Sequence, residues 1–168
     1  MQNNAEFICL QCGTCCRNLI ENRNGRSSGI TLTKNETSLF RSEIVVPKIA
    51  LGMYGPEIFL FYQLVVNCCP YIDEKNQCKI YEKRPLICRS FPIISGAISN
   101  KCQVYSYRKV GLTYDEPYKM TLQLAANNKL EKYFQNQIKK NFKKGIKLWE
   151  YDFSTKHWIY KMQLNNLP

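Results

Sequence analysis

The chain has 168 residues, 45% hydrophobic and 22% charged, ordinary values for a soluble globular protein and enough for a single domain, residues 1–168, with its own core. Its best apolar run, "IFLFYQLVV" at 58–66, is strand length, well short of the roughly 18 residues of a spanning helix. "MQNNAEF" at the start has neither the positive nor the apolar region of a signal peptide, so the expected compartment is the cytoplasm. The net charge of +11 is unevenly spread: residues 101–168 carry 13 Lys/Arg against 5 Asp/Glu, and residues 1–100 carry 11 against 8. A basic C-terminal part points to an acidic partner or, more plainly, to a solvated lysine-rich helix face.

In chain order, residues 1–30 are cysteine-rich and then loop-like, with "NRNGRSSG" at 22–29 read as an exposed turn. "TLTKNETSLF" opens a helix with Thr33 as N-cap, Glu36 closing a capping box, and Leu39, Phe40 and Ile44 as its buried face. Pro47 is expected to end or kink it. "EIFLFYQLVV" reads as a strand. In the next segment "DEKNQ" is a turn between Tyr71 and a short strand "CKIY", and "IISGAISN" with "QVYSYRKV" forms a hairpin. Asp115, with Pro117 in the first turn, starts a long helix whose apolar stripe is Leu130, Phe134, Ile138 and Phe142, ringed by lysines and stopped by Gly145. "IKLWEYDF" alternates like a strand, and "STKHWIYKMQL" closes the chain as a helix holding the only histidine, His157. The expected class is therefore α+β: a small irregular cysteine-rich metal-binding domain with short strands and a C-terminal helical region. Residues 9–102 form its metal-binding core and 103–168 a basic helical extension packed on it.

Nine cysteines carry the chemistry. Cys9, Cys12, Cys15 and Cys16 form C-x2-C-x2-C-C, and Cys68, Cys69, Cys78, Cys88 and Cys102 follow. An odd count in a chain expected in a reducing compartment, and rich in Asn and Gln, argues against a disulfide framework. Cysteines three apart can converge in a tight turn whose backbone N–H groups point inward with the sulfurs, and Gly13 relaxes the chain where it must curl. Such spacing suits zinc knuckles and iron–sulfur loops. Neighbouring side chains diverge, so Cys15 and Cys16 are expected to serve two sites, or two metals of one cluster. One grouping is Cys9, Cys12 and Cys15 with a remote fourth ligand, and Cys16 with the remaining three. Arg84 and Arg89 near Cys88, and Arg17 beside Cys16, are candidates to offset the negative charge of a thiolate site, with plain surface contacts as the alternative. Pro85 and Pro92 are expected to fix extended backbone on either side of Cys88.

"CLQCGTCC", the "ITLTKNE" helix start and "CCPYIDEKNQCKIYEKRPLICRSFP" together resemble the YkgJ-type cysteine-cluster family of zinc- or iron-chelating and iron–sulfur proteins over residues 9–102. The resemblance implies metal ligands at Cys9, Cys12, Cys15, Cys16, Cys69, Cys78 and Cys88, with Cys102 as the eighth. Cys68 lies outside the pattern and reads as a small buried filler. The family label, the triple cysteine spacing and the lack of histidine near the cysteines favour an iron–sulfur cluster, of the four-iron, four-sulfur type, over zinc as the alternative. A distant similarity to flagellin lysine methylases, longer proteins with an iron–sulfur cluster, implies a third role as a modifying enzyme.

No dinucleotide or phosphate loop, zinc-protease helix or serine elbow is present, and no base stands by a cysteine to make it a nucleophile. Whether the protein is an enzyme is left open by the sequence; if it is one, the chemistry belongs to the metal. The competing readings are a redox or cluster-carrying protein and a zinc-stabilised adaptor. The adaptor would bind RNA or a nucleoprotein through residues 129–147, where lysines interleave with Tyr133, Phe134, Phe142 and, just beyond, Trp149. A protein partner is compatible with either.

Overall fold

The computed structural model describes residues 7–94, 97–99, 101–102 and 120–166. The chain is α+β, as its sequence pattern predicts, with antiparallel sheets and few helices. It divides into two compact units, each built from two stretches: Met1–Asn18 with Cys68–Lys129, and Leu19–Asn67 with Leu130–Pro168.

The second unit is a sheet unit. It opens with a hairpin of β1 (Glu21–Arg23) and β2 (Arg26–Ser28), paired from Glu21↔Ser28 to Arg23↔Arg26. Asn24 and Gly25 between them have φ of 51° and 73°. Two successive left-handed residues match the right-handed twist of a tight hairpin, and Asn-Gly adopts that conformation at the lowest steric cost. The exposed turn expected here is thus the tip of a hairpin.

A five-stranded antiparallel sheet follows, in the order β3 (Ile30–Leu32), β5 (Ile58–Leu64), β4 (Val45–Gly52), β8 (Lys147–Asp152) and β9 (His157–Gln163). The capping box is formed as expected, the Thr33 N–H donating to Glu36 Oε2 at 2.8 Å. What it caps is one 310 segment, Lys34–Leu39, and not a helix running to Pro47. Pro47 lies inside β4, beside register shifts at Pro47/Ile49 and Ile49/Ala50 and before the pairing with β8 begins at Ile49↔Glu150. A proline is tolerated in a strand at such an irregularity, where no ladder donor is missed. The buried Gln63 side chain ties the strands: its Oε1 accepts from the Gly29 N–H, and its Nε2 donates to the Pro47 and Tyr151 carbonyls.

"STKHWIYKMQL" is a strand, not a helix. Tyr151 faces Trp158 and Trp149 faces Tyr160 across β8 and β9, and Lys161 pairs with Glu150 at 2.7 Å. Cross-strand aromatic pairs of this kind outweigh the helix propensity of Lys, Met and Leu. His157 is exposed at the start of β9. The long helix, numbered α2 and spanning Thr121–Asn141, lays the expected stripe on the sheet. Leu130, Phe134, Ile138 and Phe142, with Tyr133, pack against Leu51, Leu60, Phe61 and Ile146. Each such side chain contributes about 1.5–3 kcal/mol when fully buried. Gly145, at φ 84°, follows the helix end. The helix start expected at Asp115 and Pro117 lies outside the described residues, as does "QVYSYRKV".

The described residues of the cysteine-rich unit hold, besides the first part of α2, a 310 turn at Thr14–Cys16, another at Tyr81–Lys83, the one-turn helix α1 (Leu86–Ser90) and a hairpin of β6 (Ile93–Ile94) with β7 (Ala97–Ile98). "CKIY" makes no strand; Cys78 forms a single bridge to Ile72. Among the described residues, no helix is long and apolar enough to cross a membrane.

Candidate metal centre

The first cysteine run curls as its spacing requires. The Gln11 N–H donates to Cys9 Sγ at 3.4 Å, and the Cys16 N–H donates to the Gly13 carbonyl at 2.9 Å. Gly13 is left-handed, φ 74°, and a Cβ there would stand 2.7 Å from Ile72 Cδ1 and 2.9 Å from Asn76 Cβ. Both the turn and its seat on the 72–76 loop therefore need glycine. That loop is the expected "DEKNQ" turn: Asp73 Oδ1 accepts from the Lys75 and Gln77 N–H groups, and the Asp73 N–H donates to the Gln77 carbonyl.

Two further contacts join these segments. The Cys69 N–H donates to the Cys16 carbonyl at 2.8 Å, and Arg17 bridges to Cys68. Arg17 Nη2 also donates to Asn76 Oδ1 at 2.7 Å. Cys16 and Cys69, 53 positions apart in sequence, thereby become neighbours.

The thiols meet as a result. Cys16 hydrogen-bonds to both Cys15 and Cys69, so the 310 turn keeps the adjacent Cys15 and Cys16 together instead of splaying them. As the partner that holds the proton, Cys16 is pushed far up, while the Cys15 and Cys69 thiols are each brought down to about 7 by the hydrogen bond from Cys16. Cys78 and Cys88 complete the group. Burial pushes both up; the negative charges of Cys15 and Cys69 add to this, and the Arg84 cation opposes it. A repeated local device is visible. Cys9 receives the N–H of Gln11, Cys69 those of Tyr71 and Ile72, and Cys78 that of Ile80. An N–H two residues on, aimed at the sulfur, favours the thiolate that a metal requires.

The remaining predicted residues are placed as follows. Cys12 Sγ lies 3.3 Å from Thr14 Oγ1. Cys102 is buried just after β7, its N–H donating to the Ser99 carbonyl. Cys68 is exposed, not the buried filler expected: with Cys69 turned toward Cys16, its neighbour faces outward, 4.0 Å from Arg17 Nη1. Cys88 sits in α1, with extended backbone at Pro85 (ψ 153°) before it and Phe91 (ψ 133°) after it, as the prolines predict. Arg84 is within charge range of Cys15, Cys78 and Cys88, Arg17 braces the loop, and Arg89 is exposed.

Missed in the sequence was Tyr81, whose hydroxyl hydrogen-bonds to Cys9 and whose ring lies under Arg84. The Y-x-x-R spacing, which puts both side chains on one side of a helical turn, was the available signal.

No disulfide joins the nine cysteines, all of which are described. Among the described residues, no set of three or more His, Cys, Asp or Glu side chains already stands in metal-holding geometry; the thiols are engaged with one another. The donor set nevertheless fits a soft metal: clustered thiols, backbone donors aimed at three of them, and one compensating cation.

No curated protein and no solved structure matches the chain. A family model does, that of CxxCxxCC, described as a putative zinc- or iron-chelating domain, over residues 8–135. That span is 128 of the 168 residues and holds all nine cysteines, so the chain belongs to the CxxCxxCC family of cysteine-rich chelating domains.

Proposed function

We propose that this protein holds one or two iron–sulfur clusters on its cysteine-rich unit and serves a redox, cluster-carrier or accessory role in the cytoplasm, with zinc as the alternative metal. The observation that carries this reading is that Cys16 joins Cys15 and Cys69 by hydrogen bonds, while Cys78 and Cys88 lie within charge range of Cys15 and Cys69, and Arg84 within charge range of Cys15, Cys78 and Cys88. Cys9 and Cys12 extend the group through the N-terminal curl, and Cys102 is the eighth thiol of the set. Eight candidate thiols exceed the four that one tetrahedral zinc takes, which supports a cluster. All-thiolate ligation suits iron in such clusters.

The test is the iron, zinc and acid-labile sulfide content of protein prepared anaerobically, with its visible spectrum. Iron with equimolar sulfide and a visible absorbance that bleaches in air is the expected result. Colourless protein with stoichiometric zinc assigns the site to zinc, and protein that takes up neither metal overturns the reading.

A second reading, polyanion binding such as RNA, is favoured by one feature: Lys132, Lys139 and Lys140 are exposed on α2, with Lys143 and Lys144, also exposed, beyond its end. Tyr133, Phe134 and Phe142 pack on the sheet, so such binding would run through phosphates and not base stacking. Changing Lys139, Lys140, Lys143 and Lys144 to Glu should abolish salt-sensitive RNA binding; unchanged binding removes this reading.

A further inference from the structure

We propose that Tyr81 and Arg84 form a charge-compensating clamp on the metal centre, with Tyr81 holding Cys9 and Arg84 neutralising the other thiolates. The inference rests on the metal reading above and adds Tyr81, which that reading leaves unassigned, as the residue that fixes Arg84.

The geometry is local and closed. Tyr81 begins the 310 turn Tyr81–Lys83, and its N–H donates to the Cys78 carbonyl at 3.2 Å, tying the turn to one candidate ligand. Its hydroxyl reaches a second, Cys9. Arg84 is then fixed at both ends of Tyr81: its Nε donates to the Tyr81 carbonyl at 2.8 Å, and its guanidinium carbon lies 3.7 Å from the centre of the Tyr81 ring. With Nε and the ring face used, the cation is held where it acts on Cys15, Cys78 and Cys88. Pro85, fully buried, sets the chain direction immediately after it.

Charge explains why such a clamp is useful. Four thiolates around a divalent metal, or around a four-iron cluster, leave a net negative centre. A planar, permanently charged guanidinium beside it lowers the cost of gathering those anions. The other two candidate arginines do different work: Arg17 is spent on Asn76 and Cys68, and Arg89 is exposed. A cation over a ring in an exposed turn adds little stability by itself, so the pair's value lies in what it presents to the sulfurs.

Anaerobic titration of the full chain with Co²⁺ tests this, because the thiolate-to-cobalt charge-transfer band reports both occupancy and the electronic state of the sulfurs. Arg84→Met should weaken Co²⁺ binding by roughly 10–100-fold, the range for residues that support metal ligands. It should also move the band to longer wavelength, since sulfurs without the cation give up electrons more easily. Arg84→Lys should recover most of the affinity. Tyr81→Phe, which keeps the ring and removes only the hydroxyl, should shift the band with an intact fold, and it decides the matter if Arg84→Met does not fold. Lys83→Met, the loss of one exposed charge in the same turn, should bind as the wild type does. Wild-type affinity and band position in Arg84→Met and Tyr81→Phe overturn the clamp while leaving the metal site standing, as does Arg84→Lys behaving like Arg84→Met. A folded wild type that takes up neither Co²⁺ nor iron overturns both.

Discussion

The two units are held together by different physics. The sheet unit buries Leu32, Ala50, Leu51, Leu60 and Leu64 completely, under a helix that contributes Ile138 and its neighbours. The cysteine-rich unit has no comparable cluster among its described residues. Among those described, Phe7, Pro85, Leu86, Pro92, Ile93 and Ala126 are buried apolar residues besides Cys102, and much of the described order is single hydrogen bonds across tight turns. A metal held by the cysteines would supply folding energy to the cysteine-rich unit, whereas the sheet unit stands on its core.

The sharpest way to break that contrast is to strip the metal. Chelation under anaerobic conditions, or Cys69→Ser, should abolish hydrogen-exchange protection at Cys16, Cys69 and Lys79, whose amides close the cysteine turns. Structural thiolate sites contribute on the order of 10 kcal/mol to folding, so the loss should be complete. Amides of β4 and β5 should keep their protection. Retained protection in the cysteine turns, or loss in both units at once, would show that the contrast is wrong.

The converse perturbation is smaller. Leu60 is fully buried against the α2 stripe, and Leu60→Ala should cost about 2–5 kcal/mol through lost burial and the cavity left behind. Urea unfolding followed by tryptophan fluorescence measures it, since both tryptophans lie on β8 and β9. Metal content per chain should stay at the wild-type level; a parallel loss of metal would tie the two units energetically.

How much of this was legible in the sequence follows the same divide. Patterns that depend on neighbours in sequence were readable: the Thr33–Glu36 box, the helix stripe, the "DEKNQ" turn, and the N-terminal curl around Gly13. Asn24-Gly25 was also a readable hairpin signal, passed over because the residues around it are polar and look like loop. Features decided by remote pairing were not. Residues 157–163 become a strand because β8 presents Tyr151 and Trp149 to them, and a short apolar run does not distinguish helix from strand by itself. Pro47 survives in β4 because a register shift relieves it, a circumstance set by Gln63 and β5 and absent from its own neighbourhood. At the site, cysteine spacing singled out the thiols, but the contact of Cys16 with Cys69, and the outward turn of Cys68, depend on a backbone bridge 51 residues long.

The finest test concerns a polar staple of the sheet unit. Asp152 is buried at the end of β8, where its Oδ1 accepts from Ser154 Oγ at 2.7 Å, from the Ser154 N–H at 3.0 Å and from the Ser27 N–H at 3.2 Å. These bonds, the Ser154 hydroxyl first, outweigh burial and hold its carboxyl down at about 2, against an ordinary 3.8. A carboxyl depressed in the folded state stabilises the protein above its ordinary value. That contribution is lost as the pH falls from about 4 through about 2. Asp152→Asn keeps the shape and removes the charge, so near neutral pH it should be less stable than the wild type by roughly 1–2 kcal/mol. Urea midpoints of the two proteins should converge as the pH drops through about 2, below which the wild-type carboxyl is neutral as well. A gap that stays constant across that range would assign the loss to shape and not to the charged hydrogen bonds, and would leave the β1–β2 hairpin without the electrostatic anchor that Ser27 gives it.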